Sequence, residues 1–456
     1  MKKIITILVL IFGFTVQHLA QTTTTKADAN KLDGRWSLTF NLPQQSVNAT
    51  ADFKVSADGT VKAEFLNLPG NLVVKSAVFV GNKLKISGQS QFGAVNITAK
   101  IDGDKMNGTF ELGSINGTVT GQRETADKPE LNRLAVFDKV WQTINDDFYD
   151  PNFNNVNWQA MRDKYRPLVE KTSTDGEFSR TIKQMLKELK VSHLYFGYVP
   201  SGDLLINDSD TTKNKNGGAL SSAVTWRVVA PDTSYLRISR FVEDPEALKA
   251  IDQAFTEIGK FPELIVDVRG NGGGTLSLAM RLGDYLLDKP QILGFFAARS
   301  GLKRYNAQSI DDLDPSKLPT YSGYTLTGFR QALDKNGAVS IISGGRAAKP
   351  YRGRIVMLID ERCGSTTEGL LAVIKEKKIA TLVGRKTAGA MLSGIETNVG
   401  GNWQFFYPNA DFRTFKKMKV EGIGVEPDIF LDKQLTDEQV LKRAIDVLKA
   451  QLAVKS

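Results

Sequence analysis

A short apolar run that ends in a glycine-serine turn constrains the fold of this chain most strongly. Residues 355–359 are all apolar, which is typical of a strand buried on both faces of a parallel sheet. A break follows at residues 360–364, and Leu370, Leu371 and Ile374 then recur at helical spacing. We therefore predict a strand, a tight turn and a helix. Ser365 would lie at the helix N-terminus, where backbone N–H groups favour developing negative charge, so it is our candidate nucleophile.

The same four residues support a second, purely structural interpretation. Ser365-Thr366-Thr367-Glu368 has the spacing of a capping box, in which the hydroxyl and the carboxylate close the first helical turn. In that case the serine hydroxyl would accept a hydrogen bond from a backbone N–H group and would have no catalytic role. The local pattern alone leaves both interpretations open.

A second strand, glycine turn and helix occurs earlier in the chain. Residues 264–268 predict a buried strand, residues 270–274 a glycine-rich turn, and residues 276–287 a helix. This alternation predicts a largely parallel α/β core over residues 224–456, in which the polar segment 309–346 is irregular and shapes a substrate cleft. The glycine turn lacks the spacing of nucleotide-binding fingerprints, so no nucleotide cofactor is expected. Its backbone N–H groups would serve equally well as an oxyanion hole.

Four further segments precede this core. Lys2 and Lys3, a short apolar run and Ala20 predict a signal peptide over residues 1–20, and hence export to a periplasm or outside the cell, without a membrane anchor. Residues 30–124 alternate apolar and polar side chains around turns such as Asp58-Gly59 and predict a small all-β, barrel-like accessory domain with a possible binding partner of its own. Residues 128–200 contain two apolar stripes at helical spacing and predict a helical segment. Residues 201–223 are polar and predict a loop.

Composition excludes several classes of function. The 456 residues are 41% apolar and 24% charged, as in soluble globular proteins, and the net charge of +9 is scattered, so nucleic-acid binding is not expected. Cys363 is the single cysteine, so no intramolecular disulfide can form. Of the two histidines, His18 lies in the predicted leader, which leaves His193 for any imidazole chemistry. Histidine-rich zinc sites are thereby excluded, which leaves only carboxylate-dominated metal sites, and no metal is expected at the candidate site.

Four motifs in a fixed order carry a resemblance to a known family. They are Asp267-Val-Arg-Gly-Asn-Gly-Gly-Gly274, Ser365-Thr-Thr-Glu368, Val383-Gly-Arg-Lys-Thr-Ala-Gly389 and Gly424-Val-Glu-Pro-Asp428. Together they resemble the core of the C-terminal processing (tail-specific) serine peptidases and the tricorn protease core, from about residue 131 onward. The resemblance implies ClpP/crotonase-like βαβ units behind a helical segment, a serine peptidase acting on peptides or proteins, and no cofactor.

The resemblance also implies roles for individual residues. Ser365 matches the family nucleophile, whereas the lysine base of the processing peptidases is replaced by Ala390, with Lys386 nearby at a different place in the turn. The tricorn-like branch uses instead a histidine that follows a serine, matched by Ser192-His193, and a late glutamate. The remaining implied residues are Glu421 as that glutamate, with Glu426 as the second choice, and the N–H groups of Gly272 or Gly273 and Thr366 as the oxyanion hole.

Two departures from the family keep other functions open. Only about thirty residues separate His193 from Val224, too few for the peptide-gripping PDZ module that the family often carries there. The missing lysine at position 390 favours a relative that binds a peptide or hydrophobic ligand without cleaving it, and an esterase-like hydrolase is a third possibility. If His193 is the base, activity is expected to rise through an apparent pKa of about 6.5.

Overall fold

The computed structural model describes residues 31–42, 46–56, 60–68, 72–90, 93–113, 115–124, 132–199 and 223–453. The chain divides into two compact units, Met1–Thr125 and Ala126–Ser456. The predicted signal peptide, the Asp58-Gly59 turn and the predicted loop up to residue 222 lie outside the described residues.

The first unit is one antiparallel sheet of eight strands. Its order is β3-β2-β1-β8-β7-β6-β5-β4, and a bridge between Thr60 and Val78 nearly closes it into a barrel. Alternate side chains such as Trp36, Phe53 and Phe79 fill the interior, because successive strand residues point to opposite faces. The predicted barrel-like β fold is confirmed. The strands are β1 (Gly34–Asn41), β2 (Ser46–Val55), β3 (Val61–Phe65), β4 (Val73–Val80), β5 (Lys83–Ser90), β6 (Gly93–Asp102), β7 (Lys105–Leu112) and β8 (Ile115–Arg123).

The second unit begins with three helices and continues as alternating strands and helices. In chain order its elements are α1 (Arg133–Asp147), α2 (Trp158–Glu170), α3 (Asp175–Lys187), β9 (Tyr195–Tyr198), β10 (Val224–Ala230), β11 (Thr233–Ile238), α4 (Pro245–Ile258), β12 (Glu263–Asp267), α5 (Leu276–Leu286), β13 (Gln291–Ala298), α6 (Arg299–Arg304), β14 (Thr320–Tyr321), α7 (Leu326–Asn336), β15 (Ala338–Ser343), β16 (Arg354–Ile359), α8 (Thr366–Lys377), β17 (Thr381–Gly384), β18 (Leu392–Gly400), β19 (Trp403–Thr414), β20 (Ile429–Phe430) and α9 (Asp437–Ala453).

The helical segment is held by the two apolar stripes that the sequence predicts. Phe137, Val140 and Ile144 of α1 are buried, as are Phe178 and Ile182 of α3. Side chains of Asn132, Asn157 and Thr174 cap the three helices by accepting backbone N–H groups. The buried stripes pack in one cluster with aromatic residues of β9 and β19, so the helices cover one part of the core.

A six-stranded sheet forms the predicted parallel core. Its order is β10-β11-β12-β16-β17-β20, and every pair from β11 to β20 is parallel, whereas β10 pairs antiparallel with β11. In β16, the run 355–359 is buried throughout. Because β12, β16 and β17 are parallel neighbours, the turns that follow them meet at one edge of the sheet, where α/β proteins place their ligands.

The second sheet of this unit was not predicted. It has the order β14-β15-β13-β19-β18, with β9 paired to β19. The expectation that residues 309–346 are irregular was wrong, because α7 and the buried strand β15 lie there. Thr325 caps α7 and Gly337 ends it with a left-handed residue, so the helix has ordinary start and stop signals. This sheet positions His193, which lies two residues before the start of β9.

Candidate active site

Ser365 occupies a strained turn between β16 and α8. Its backbone has φ 51° and ψ −127°, a combination that non-glycine residues rarely adopt and that costs on the order of 1–3 kcal/mol. Its hydroxyl makes no capping hydrogen bond to the helix, so the capping-box interpretation is wrong for this side chain. A strained strand-to-helix turn is how α/β-hydrolases present a nucleophilic serine.

Glu368, the other half of the supposed capping box, is turned toward a different loop. Its buried carboxylate accepts hydrogen bonds from the Thr387 hydroxyl, from the Gly389 N–H at 2.7 Å and from the Ala390 N–H at 2.6 Å. Burial raises the pKa of Glu368, and these hydrogen bonds, together with the nearby Ser365 backbone N–H, oppose that rise. No local sequence pattern signals these contacts, because all three partners lie about twenty positions further along the chain.

The glycine turn after β12 is bonded directly to the serine turn. The Gly364 N–H donates to the Asn271 carbonyl at 3.2 Å, and the Thr366 hydroxyl donates to the Gly274 carbonyl at 2.6 Å. These bonds lie on either side of the candidate nucleophile in the sequence. The two turns therefore form one joined surface at the edge of the parallel sheet.

Gly273 is in van der Waals contact with the nucleophile turn. Its φ is +103°, and a Cβ atom there would lie 2.6 Å from Ser365 Cβ, 2.7 Å from the Gly364 carbonyl oxygen and 2.9 Å from the Thr366 nitrogen. Side-chain carbons do not approach other atoms so closely. Glycine is therefore required here both by the backbone conformation and by the space available.

The three predicted oxyanion-hole residues are not equally placed. The Gly273 N–H donates to the side-chain oxygen of Asn271 at 2.9 Å, so it is already engaged. Gly272 is exposed, and nothing lies within 4 Å of the position that its Cβ would occupy. Thr366 is the first residue of α8, so its N–H has no partner within the helix. Gly272 and Thr366 are the donors that we retain as predictions.

Ser192, His193 and Glu421 are joined by hydrogen bonds. The Ser192 N–H and hydroxyl donate to the two carboxylate oxygens of Glu421, each at 2.8 Å, and the Ser192 Oγ lies 2.6 Å from His193 Nδ1. A hydroxyl has one proton to give, so while Glu421 is ionised and receives it, His193 Nδ1 must donate to Ser192. The other imidazole nitrogen, Nε2, is then unprotonated and can act as a base.

Burial shifts the pKa of both ionisable groups in this cluster. Desolvation lowers the pKa of His193 to about 4, so the imidazole is neutral at physiological pH. This buried imidazole differs from the ordinary histidine that the expected apparent pKa of about 6.5 assumes. Burial raises the pKa of Glu421, and the negative charge of Asp411 acts in the same direction, while hydrogen bonds from Ser192 and Met391 oppose them.

Ala390 and Met391 connect this cluster to the nucleophile turn. The Ala390 carbonyl accepts the Ser365 N–H at 2.7 Å, and the next residue, Met391, donates its N–H to Glu421 at 2.8 Å. A continuous set of short contacts thus runs from the backbone of Ser365 to the imidazole that follows Ser192. Ser192 and Glu421 are 229 positions apart in sequence, and folding joins them beside Met391, the residue after the acceptor of the Ser365 N–H.

Lys386, the lysine near the family position, and Glu426, the second choice for the late glutamate, bind each other. Lys386 forms an ion pair with Glu426 at 2.7 Å, and the two side chains are 48% and 60% exposed. Ala390 contributes only backbone contacts, so the described turn offers no lysine in the family position.

Neither a membrane-spanning helix nor a metal-binding cluster occurs among the described residues. No helix among them is long and apolar enough to cross a membrane. No group of three or more histidine, cysteine or acidic side chains within those same ranges could hold a metal ion.

Comparison with protein families identifies two matching regions. Residues 232–431 match peptidase family S41, and residues 129–187 match the tricorn protease C1 domain. The first region contains both turns and the Glu421 loop, and the second covers most of the helical segment.

Individual peptidases are also similar to this chain in sequence or fold. The chain is 24% identical over 203 residues to the chloroplastic C-terminal processing peptidase of Tetradesmus obliquus, which is 44% of this chain and 35% of that protein. It is 28% identical over 160 residues to tricorn protease homolog 1 of Streptomyces coelicolor, which is 34% of this chain and 12% of that protein. The chain spans less than half the length of these curated relatives. A crystal structure titled as a putative peptidase from Parabacteroides merdae has the same fold, with a TM-score of 0.50 and 17% identity, covering 70% of this chain and 97% of that one.

Proposed function

We propose that this chain, which belongs to peptidase family S41, is a serine peptidase that hydrolyses peptide bonds through Ser365 and His193. The observation that carries the proposal is the connection from the Ser365 backbone to the imidazole, which runs by a hydrogen bond to Ala390, along the chain to Met391, and by hydrogen bonds through Glu421 and Ser192. It supplies a nucleophile, a base and a group that orients the base, which is the combination that acyl transfer requires.

The first half of the reaction forms an acyl-enzyme. The Ser365 hydroxyl attacks the peptide carbonyl, and His193 Nε2 takes its proton. The N–H groups of Gly272 and Thr366 stabilise the oxyanion; losing one such donor costs about 10²–10³-fold in rate. The imidazolium then gives the proton to the leaving amine, which departs with the new N-terminus of the product.

The second half restores the enzyme. Water gives a proton to the neutral His193 and attacks the ester carbonyl, and the imidazolium returns that proton to the Ser365 oxygen as the acid product leaves. Throughout, Ser192 holds the imidazole by accepting from Nδ1 and donates its own proton to Glu421, whose charge stabilises the imidazolium without taking its proton. The proposed cycle consumes one water per peptide bond and needs no cofactor.

A fluorophosphonate probe tests this proposal without knowledge of the substrate. The wild-type protein should become labelled at Ser365, and labelling should be lost in Ser365→Ala and strongly reduced in His193→Ala. Wild-type protein that is folded and remains unlabelled would contradict the proposal and favour a ligand-binding relative.

We also propose that the protein is exported, on the strength of Lys2, Lys3 and the short apolar run that precedes Ala20. Expression with and without residues 1–20 tests this. The full chain should reach the periplasm or medium in a form shortened at its N-terminus, whereas an unshortened product inside the cell would contradict export by this leader.

A further inference from the structure

We propose that Glu368 is a positioning residue: it ties the nucleophile turn to the loop that carries Glu421, acting through residues 387–390. The effect on catalysis rests on the proposed function, whereas the tie itself is a property of the fold. Glu368 lies one helical turn beyond Ser365 on α8. Its carboxylate accepts hydrogen bonds from residues 387–390, which lie in the loop between β17 and β18.

The first connection runs from Glu368 to the nucleophile through one residue. The Ala390 N–H donates to Glu368 Oε2 at 2.6 Å, and the Ala390 carbonyl accepts the Ser365 N–H at 2.7 Å. Residue 390 is therefore held from both sides by α8 and its N-terminal turn. A displacement of the Glu368 carboxylate would move the acceptor of the Ser365 N–H directly.

The second connection runs from Glu368 to the loop 420–425. The Thr387 hydroxyl donates to Glu368 Oε1 and accepts the Val425 N–H at 2.7 Å. The Thr387 N–H donates to the Val425 carbonyl at 3.2 Å, and the Gly422 N–H donates to the Gly389 carbonyl at 2.8 Å. One buried carboxylate thus fixes both the serine turn and the segment from which the predicted orienting glutamate projects.

The negative charge of Glu368 matters because its three partners all point donors at it. Glutamine has one acceptor oxygen and an amide that only donates. In Glu368→Gln, the amide group would face the N–H of either Gly389 or Ala390, whichever way it is turned, and one hydrogen bond would be replaced by a repulsive contact. The residue volume is nearly unchanged, so this variant tests the hydrogen bonds rather than the packing.

An ion pair on the surface supplies a matched control. Lys386 and Glu426 link the same two loops at 2.7 Å, but both side chains are about half exposed. Exposed pairs of this kind contribute little, since water screens them and holding two long side chains in place is unfavourable. Glu426→Gln therefore removes a carboxylate between the same segments without disturbing the buried connection.

Hydrogen exchange measured by mass spectrometry tests the tie itself. In Glu368→Gln we expect faster exchange both in peptides covering residues 386–392 and in peptides covering 420–426, with wild-type exchange in the barrel-like unit and in Glu426→Gln. Thr387→Val, which keeps the shape but loses the hydroxyl, should accelerate exchange at 420–426, and Thr387→Ser should restore it. Unchanged exchange at 420–426 in both Glu368→Gln and Thr387→Val would overturn the proposal. If one of the two variants folds poorly, the result for the other variant decides.

The rate of reaction with a fluorophosphonate tests the consequence for the nucleophile. A displacement of the serine turn on the order of 1 Å costs about 10²-fold in rate. We expect a loss approaching that size in Glu368→Gln and wild-type rates in Glu426→Gln. Equal rates in wild type and Glu368→Gln would overturn the positioning role, whereas an unreactive wild type would overturn the proposed function and leave the exchange result to decide the tie.

Discussion

Replacing Gly273 by alanine is the sharpest single perturbation of this site. The new Cβ would lie 2.6 Å from Ser365 Cβ, whereas non-bonded carbons prefer about 3.5–4.0 Å. The serine turn must therefore retreat by about 1 Å, because the other near atoms, the Gly364 oxygen and the Thr366 nitrogen, are backbone atoms of the same turn. A misplacement of that size costs about 10²-fold in rate.

The same substitution should also lower the free energy of unfolding. Alanine in a left-handed conformation costs about 1–2 kcal/mol, and overpacking typically adds about 1–3 kcal/mol. Gly103→Ala is the control for backbone strain alone, because Gly103 has φ +58° and nothing within 4 Å of its Cβ position. It should lose stability but keep the full rate of reaction at Ser365.

The assay is the pseudo-first-order rate of fluorophosphonate labelling, measured beside urea unfolding for each variant. Gly273→Ala should be folded, less stable than wild type and about 10²-fold slower to label. Wild-type labelling together with wild-type stability would refute the reasoning, since it would mean that the glycine turn does not press on Ser365.

Three further predictions concern the base and its surroundings. Glu421→Gln should lower kcat by up to about 10⁴-fold, because the Ser192 hydroxyl would then turn its proton toward His193 and leave the imidazole in the wrong tautomer; wild-type kcat would contradict that relay. Lys386→Ala should keep labelling within about twofold of wild type, since its exposed pair contributes little, and a large loss would point to lysine as the base. Burial lowers the pKa of His193 to about 4 in the folded protein, whereas in the unfolded chain it is about 6.5. As pH falls below about 6.5, the unfolded chain therefore binds a proton that the folded protein does not, and the free energy of unfolding should decrease. His193→Gln should lose less stability than wild type between about pH 7 and about pH 4 in urea titrations, and equal losses would show that the imidazole is solvated.

The sequence predicts the buried strands, tight turns and helix ends, because these depend on residues that are close together in the chain. The run 355–359 and the glycine turn at 270–274 identified neighbouring parallel strands, because buried strands and tight turns leave a clear signature. Thr436 and Gln439 close the start of α9 as a capping box does, with bonds of 2.8 and 3.3 Å. At Ser365 and Glu368 the same spacing has a different outcome, because distant residues compete for the glutamate.

What the sequence did not reveal depends on pairing between distant segments. The sheet that contains β9 and β19 was not predicted, although Gly400-Gly401 lies between two strand-like segments and is a hairpin signal. Nothing in the sequence shows that Thr387 bridges two loops. Such contacts are set by tertiary packing, which is also why the resemblance to a family was needed to connect His193 with Ser365.

The central claim is that Ser365 and His193 act as a nucleophile and its base. A crystal structure of the fluorophosphonate-treated protein would test it most directly. We expect phosphorus bonded to Ser365 Oγ and His193 Nε2 within about 2.6–3.2 Å of an oxygen on that adduct or on the serine, with Nδ1 still on Ser192. An adduct on another residue, or an imidazole turned away from Ser365 toward the opposite face of the sheet, would contradict the account.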